Sequence, residues 1–231
     1  MRKMEVLGIT MQDLTLRESM KKVEQFLKER KASTIALITM KGLIIAQDSP
    51  VIKEWMSSLD MTIPIDADIL RAADIHHHNR INDVEDDAFI VEFLKKMVRQ
   101  KKTIYLLSQS EAGLKKMEDE LKDAQDGLQI IGRCSLESLE HDDDFVINDI
   151  NLKAPDVLIS NLPSPVREEF LANHHMKMSV SVWLMIRADR DLRKKNRNLF
   201  KKMYNRIMKQ WFHIRLDQYK EENENEEESE G

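Results

Sequence analysis

Short β-rich runs alternate with amphipathic helical patterns along most of the chain, and this alternation limits the fold more than any other sequence feature. Runs of strand character fall at Glu5–Ile9, Thr34–Thr39, Met61–Ile65, Thr103–Ser108, Leu128–Gly132, Asp156–Asn161 and Ser179–Ile186. Between them, Leu14–Arg30 opens with Thr15-x-x-Glu18, a capping box, and places Met20, Val23 and Leu27 on one face. Leu43–Ser58, Asp86–Arg99 and Glu111–Ala124 carry the same period. In the last of these, Ser110 is the expected N-cap, and Leu114, Met117 and Leu121 form the buried stripe. Strands and helices in this order predict an α/β, Rossmann-like domain, with a mostly parallel sheet covered by helices on both faces. At 231 residues, one domain or two small lobes sharing a sheet can bury an ample core.

From Ala188 the pattern changes. Through Tyr219 there is no strand signal, glycine or proline, so a long helix or a broken helical pair is expected. The segment is basic (Arg190, Arg193, Lys194, Arg197, Lys201, Arg206, Lys209 and Arg215 among others) and carries Leu199, Phe200, Tyr204, Ile207, Trp211, Phe212, Ile214 and Leu216. After it the chain is a Glu/Asn run with nothing to bury. The expected division is an α/β domain over 1–187, a basic helical appendage over 188–220 and a disordered acidic tail over 221–231. The net charge of −5 argues against general nucleic-acid binding. Cys134 is the single cysteine, which excludes an intrachain disulfide and fits a reducing cytoplasm. Met1 to Thr10 lacks an apolar run of signal-peptide length, and no stretch of ~18 apolar residues occurs, so a cytoplasmic protein is expected.

Candidates for chemistry are few. Asp66-Ala67-Asp68 follows a strand, where α/β sheets collect ligands. The pair could hold a divalent metal or supply a general base, or one aspartate could cap the following helix. His76-His77-His78 cannot converge on one ion from a helix and reads as a solvated loop, and His174-His175 suits a helix end. The acidic run at 142–144 lacks the alternate spacing and glycine of a calcium loop, and reads as a loop or helix cap. There is no Walker loop, no G-x-G-x-x-G and no nucleophile elbow. No metal and no cofactor are expected.

The order of the segments nevertheless resembles a known family. Val6-Leu7-Gly8-Ile9 followed by Thr15 to Ser19 is similar to the opening of the WecG/TagA/CpsF glycosyltransferases. Thr39 with Ala46 falls where that family has an asparagine and a following alanine, and Leu59–Ile65 resembles the strand leading to its P-D-G. Arg80-Ile81-Asn82-Asp83 is similar to its R-V-x-G, and Tyr105-Leu106-Leu107 to its Y-L-L-G-G. Pro155-Asp156-Val157-Leu158 and Ser164-Pro165-Val166-Arg167-Glu168 resemble "P-D-i-L … P-K-Q-E". The similarity runs from about Val6 to about Ile186.

The resemblance implies transfer of a sugar, N-acetylmannosamine in the best-known form, from a UDP-sugar to a lipid-linked acceptor in cell-surface polysaccharide synthesis. Asp66 then stands for the catalytic base, and Thr39, Lys41, Arg80, Arg167 and Glu168 for substrate binding. A lipid-linked acceptor would suit docking of the 188–220 segment on an anionic membrane, with packing on the sheet as the alternative. Homo-oligomerisation stays open. The departures from the family pattern fall at its glycines. The chain has 6, where ~7% usage gives roughly 16. In a gapless alignment the family aspartate falls on Ile65, with Asp66 in the glycine's place. Asp83 and Ser108-Gln109 replace further glycines, the G-x-G near Asn161 and Pro163 is gone, and Trp183-Leu184-Met185-Ile186 replaces a glycine-rich strand end. Backbone that approaches phosphates closely relies on glycine, so a catalytically inactive binding or scaffolding relative is the second expectation.

Overall fold

The computed structural model describes residues 2–29, 31–139, 143–186 and 199–230. A hairpin of β1 (Lys3–Val6) and β2 (Ile9–Gln12) is followed by helix α1 (Leu16–Phe26) and strand β3 (Ser33–Ile38). Helices α2 (Met40–Gln47) and α3 (Pro50–Ser58) lead to β4 (Met61–Pro64), and α4 (Ala67–Ala72), α5 (His78–Glu85) and α6 (Ala88–Arg99) lead to β5 (Thr103–Ser108). Then come α7 (Glu111–Ala124), β6 (Gln129–Ser135), α8 (Asp143–Lys153), β7 (Val157–Ser160), α9 (Val166–His174), β8 (Val182–Met185) and α10 (Leu199–Glu230).

Six strands form one parallel sheet in the order β4-β3-β8-β7-β5-β6. Crossovers toward the β4 edge (α2 and α3, α8, α9) cover one face, and those toward the β6 edge (α6, α7) cover the other. That division follows from the right-handedness of parallel crossovers. The expected Rossmann-like α/β architecture is therefore present.

Side chains of the central strands alternate between two cores, as a period of two requires. On β3, Ile35 and Leu37 join α1, α6 and α7, whereas Ala36 and Ile38 face α2 and α3. On β8, Trp183 and Met185 face the second set, and the Trp183 indole donates to Ser160 Oγ at 2.8 Å. Helix α6 buries Phe89, Ile90, Phe93, Leu94 and Met97. At about 2 kcal/mol per large apolar side chain, that stripe alone gives on the order of 10 kcal/mol of gross burial.

Sequence expectations hold for some elements and fail for others. The capping box is formed: Glu18 N–H donates to Thr15 Oγ1, and Thr15 N–H donates to Glu18 Oε2 at 2.8 Å. Helix α7 spans the expected residues, with Ser110 as its N-cap. Glu5–Ile9 is not one strand, because Leu7 and Gly8 take positive φ (55° and 67°) and turn the chain into the β1–β2 hairpin. Leu43–Ser58 is split, since Pro50 starts a new helix that Ser49 caps. His78 opens α5 instead of lying in a loop. The acidic segment from Glu221 continues α10 as far as Glu230, consistent with the helix propensity of glutamate and the lack of Gly or Pro before Gly231. Expectations for 188–198, including Arg190 to Arg197, lie outside the described residues. Among the described residues no helix is long and apolar enough to cross a membrane.

The strand pairs are fastened at their amino ends by two equivalent clasps. Asp156 Oδ2 accepts from Thr103 N–H at 2.9 Å and from its hydroxyl at 3.0 Å, while Asp156 N–H donates back to Thr103 Oγ1. Asp60 holds Thr34 in the same way. Burial works against ionisation of Asp156, but Lys102 and the two Thr103 donors outweigh it and hold its carboxyl below the usual range. A depressed folded-state pKa contributes stability above the unfolded value, and that contribution is lost as pH falls through the folded value. Asp156→Ala is expected to cost about 2 kcal/mol near neutral pH, with the gap to wild type narrowing below about pH 4. Denaturant melts of both proteins across this range check it; a constant gap would show that the carboxylate charge plays no part.

Candidate functional site

The carboxyl ends of β3 and β4 meet where their crossovers leave for different faces, the usual position of a ligand crevice in an open α/β sheet. Pairing continues one step past the strands, with Ile65 N–H donating to the Ile38 carbonyl. Asp66 follows. It stands at the N-cap position of α4 but makes no side-chain cap there. Its Oδ2 instead accepts from Met40 N–H at 2.8 Å, at the first turn of α2. Thr39, buried, caps the same helix by accepting from Gly42 N–H at 3.0 Å. Lys41 is exposed on that turn. Asp66, Thr39 and Lys41 are thus brought together at the positive end of one helix dipole.

Asp68 is a different case. It is buried, and its Oδ1 lies 2.9 Å from both Arg71 Nη1 and Lys209 Nζ of α10. Of the two aspartates, Asp68 fastens α4 and α10, and Asp66 faces the α2 terminus. Among the described residues no three His, Cys, Asp or Glu side chains are grouped to hold a metal.

Arg80 stands on α5. Its Nη2 lies 2.8 Å from Asp13 Oδ1 and donates to the Leu14 carbonyl at 3.0 Å. Together with Asp83, Pro64 and Ile65 it lines a cavity of about 50 Å³, bounded also by Leu37 and Thr62. Ligand pockets usually measure ~300–1,000 Å³, so this space is far too small for a nucleotide-sugar. Arg167 and Glu168 form a separate group at the start of α9, beyond β7. Arg167 Nη2 donates to Glu168 Oε1 at 2.6 Å, and its guanidinium lies 4.2 Å from the centre of the Trp55 ring. The sequence reading passed over Trp55 and Asp13, because their partners are 112 and 67 positions away.

At the next crevice, between β5 and β7, Ser108 and Asn161 are buried, and Asn161 Nδ2 reaches toward the Gly113 carbonyl of α7 at 3.5 Å. The side chains of Trp183, Met185 and Ile186 are also buried where the family pattern is glycine-rich.

The model of the glycosyl transferase WecG/TagA/CpsF family matches residues 4–212, which takes in every group described above. No curated protein matches the chain.

The Arg80–Asp13 contact ties α5 to the loop after β2, with both side chains 14% exposed. Arg80→Ala leaves Asp13 short of its main cation and is expected to cost about 2–3 kcal/mol. A double-mutant cycle with Asp13→Ala measures the coupling; additive losses would show that the pair does not hold the two elements together.

Proposed function

Because the chain belongs to the WecG/TagA/CpsF family of glycosyl transferases, we propose that it transfers a sugar, N-acetylmannosamine-like, from a UDP-sugar to a lipid-linked acceptor in cell-surface polysaccharide synthesis. The observation that carries this reading is Asp66, a carboxylate at a strand's carboxyl end, fixed against the first turn of α2. In that role it accepts the proton of the acceptor hydroxyl as the oxygen attacks the sugar's anomeric carbon. The bond from that carbon to the diphosphate breaks, and UDP leaves with the electron pair. Lys41, the α2 amino end and Arg167 supply positive charge for the diphosphate. Thr39 holds the turn in place, and Arg80 and Glu168 shape the walls on either side.

The narrow cavity and the filled glycine positions favour a second reading, in which the chain binds or scaffolds within the same pathway without catalysing transfer. Turnover decides between them. Asp66→Asn is expected to lower the transfer rate at least a hundredfold with little change in stability, in keeping with the contribution of a general base. An undiminished rate would remove Asp66 from the chemistry, and a wild type that binds UDP without turnover would select the scaffolding reading.

A lipid-linked acceptor calls for peripheral docking at a cytoplasmic membrane face, and α10 offers a suitable surface. Phe212 and Leu216 are buried against the domain, while Ile207, Trp211 and Ile214 form an exposed stripe beside Arg206, Lys209 and His213. Basic residues near anionic headgroups contribute about 1 kcal/mol each, and Trp suits the interface. Replacing Ile207, Trp211 and Ile214 together by Ser leaves the buried stripe intact. The variant is expected to lose most of its co-sedimentation with phosphatidylserine vesicles; sedimentation equal to wild type would leave docking by this face without support.

A further inference from the structure

The outer apolar residues of α10 have a spacing of their own. Ile207, Trp211 and Ile214 are 46%, 60% and 55% exposed, and they follow one another at steps of four and three. In the sequence, Phe200 and Tyr204 precede them at the same alternating steps. Steps of three and four in turn mark the a and d positions of a heptad, the narrow seam by which one helix packs on another. Phe212 and Leu216 fall on the opposite side and are taken up by the core of the domain. Among the described residues the outer seam is left to solvent.

Charge along the same helix is divided. Residues 199–209 include Lys201, Lys202, Arg206 and Lys209 and no acid, whereas residues 221–230 hold seven glutamates and no cation. An anionic lipid surface attracts the first stretch and repels the second. A second α10 laid antiparallel suits both, because the basic start of each helix lies toward the acidic end of the other and the two helix dipoles oppose. A parallel pair would set base on base and glutamate on glutamate. With Ile207 opposite Ile214 of the second copy, Trp211 lies near the two-fold axis, and Arg206 comes within one turn of Asp217 of the second copy. Arg206 and Asp217 are both exposed and stand on the same flank of the seam. Antiparallel helices related by a two-fold axis match like flanks, so this contact is made twice.

We propose that α10 pairs antiparallel with α10 of a second copy of this chain, through Ile207, Trp211 and Ile214 and the flanking Arg206 and Asp217. Each copy contributes three exposed apolar side chains, so the interface is small and the pair reversible. The inference goes beyond the docking reading above and bears on its regulation. A copy in the pair presents no outer stripe to lipid, and a copy on a membrane has left the pair.

The test is sedimentation equilibrium of the full chain at concentrations up to about 100 μM, where a small reversible interface is populated. Wild type is expected to approach twice the chain mass, and the variant with Ile207, Trp211 and Ile214 replaced together by Ser to stay at the chain mass. Arg206→Glu alone and Asp217→Arg alone each set like charges across the seam and are expected to weaken association on the order of tenfold. Mixing these two variants is expected to restore it, since the mixed pair again has opposite charges on both flanks. All five positions are exposed, so the circular dichroism of each variant is expected to match wild type. Wild type at the chain mass throughout, or a Ser variant that associates like wild type, would overturn the proposal. Failure of the mixture to recover would exclude the antiparallel arrangement and overturn it too. Phosphatidylserine vesicles separate pairing from docking: a chain that pairs but does not sediment with vesicles leaves the pair standing and removes docking, and a chain that sediments with vesicles but never pairs does the reverse.

Discussion

Parallel strands have no hairpin to set their register, and in this sheet two aspartate–threonine clasps set it. Asp60 grips the N–H and hydroxyl of Thr34, and Asp156 grips those of Thr103, each returning its own N–H to the threonine oxygen. They fix β3 against β4 and β5 against β7, across separations of 26 and 53 residues. A slip of one residue would turn every side chain of a strand to the opposite face. Ile35 would then point at α2 and α3, and Ala36 at α1 and α6, so both cores depend on these few polar contacts. The charge of Asp156 strengthens its clasp, because Lys102 sits 2.8 Å from the other carboxylate oxygen.

The same register places the candidate site. With Ile35 opposite Met61 and Ile38 opposite Pro64, the first residue past β4 bonds back to β3, and Asp66 falls beside the opening turn of α2. The hydrogen bond from Met40 N–H helps to orient the carboxylate. Asp68, in the first turn of α4, is held by Arg71 and Lys209 and serves the packing of α10. Two carboxylates two residues apart therefore have different surroundings, Asp66 at the opening turn of α2 and Asp68 between the cations of α4 and α10.

The fold was legible where one element decides its own conformation. Thr15 and Glu18 announce α1, Ser110 announces α7, and the apolar runs of β3 and β5 need no partner to be recognised. Misreadings arose where backbone geometry overrode the apolar pattern. Leu7 is apolar yet takes positive φ, and Pro50 interrupts a period that otherwise runs through Ser58. The short helices α4, α5 and α9 bury only a few residues each, too few for a periodic signal. At the site, Asp66, Thr39 and Lys41 could be grouped from their places at strand ends. The Arg80–Asp13 pair and the Arg167–Trp55 stack could not, since each joins distant parts of the chain through tertiary packing alone.

Helix α10 presents two apolar stripes with different obligations. The inner one is part of the main core: Phe212 is fully buried and Leu216 nearly so, with Met208 and Tyr219 packed beside them. Burial of Phe212 and Leu216 is worth about 2 kcal/mol each. The ion pairs of Lys209 with Asp68 and of Arg215 with Asp48 add less, because both cations are about a third or more exposed. The helix is therefore held chiefly by apolar contact, which salt does not screen, whereas attraction of its basic residues to an anionic surface falls with ionic strength. Insertion of Trp211 and Ile214 into an interface draws only on the outer stripe and requires no detachment of the inner one. The membrane docking proposed for α10 and its retention on the domain are thus compatible in one helix.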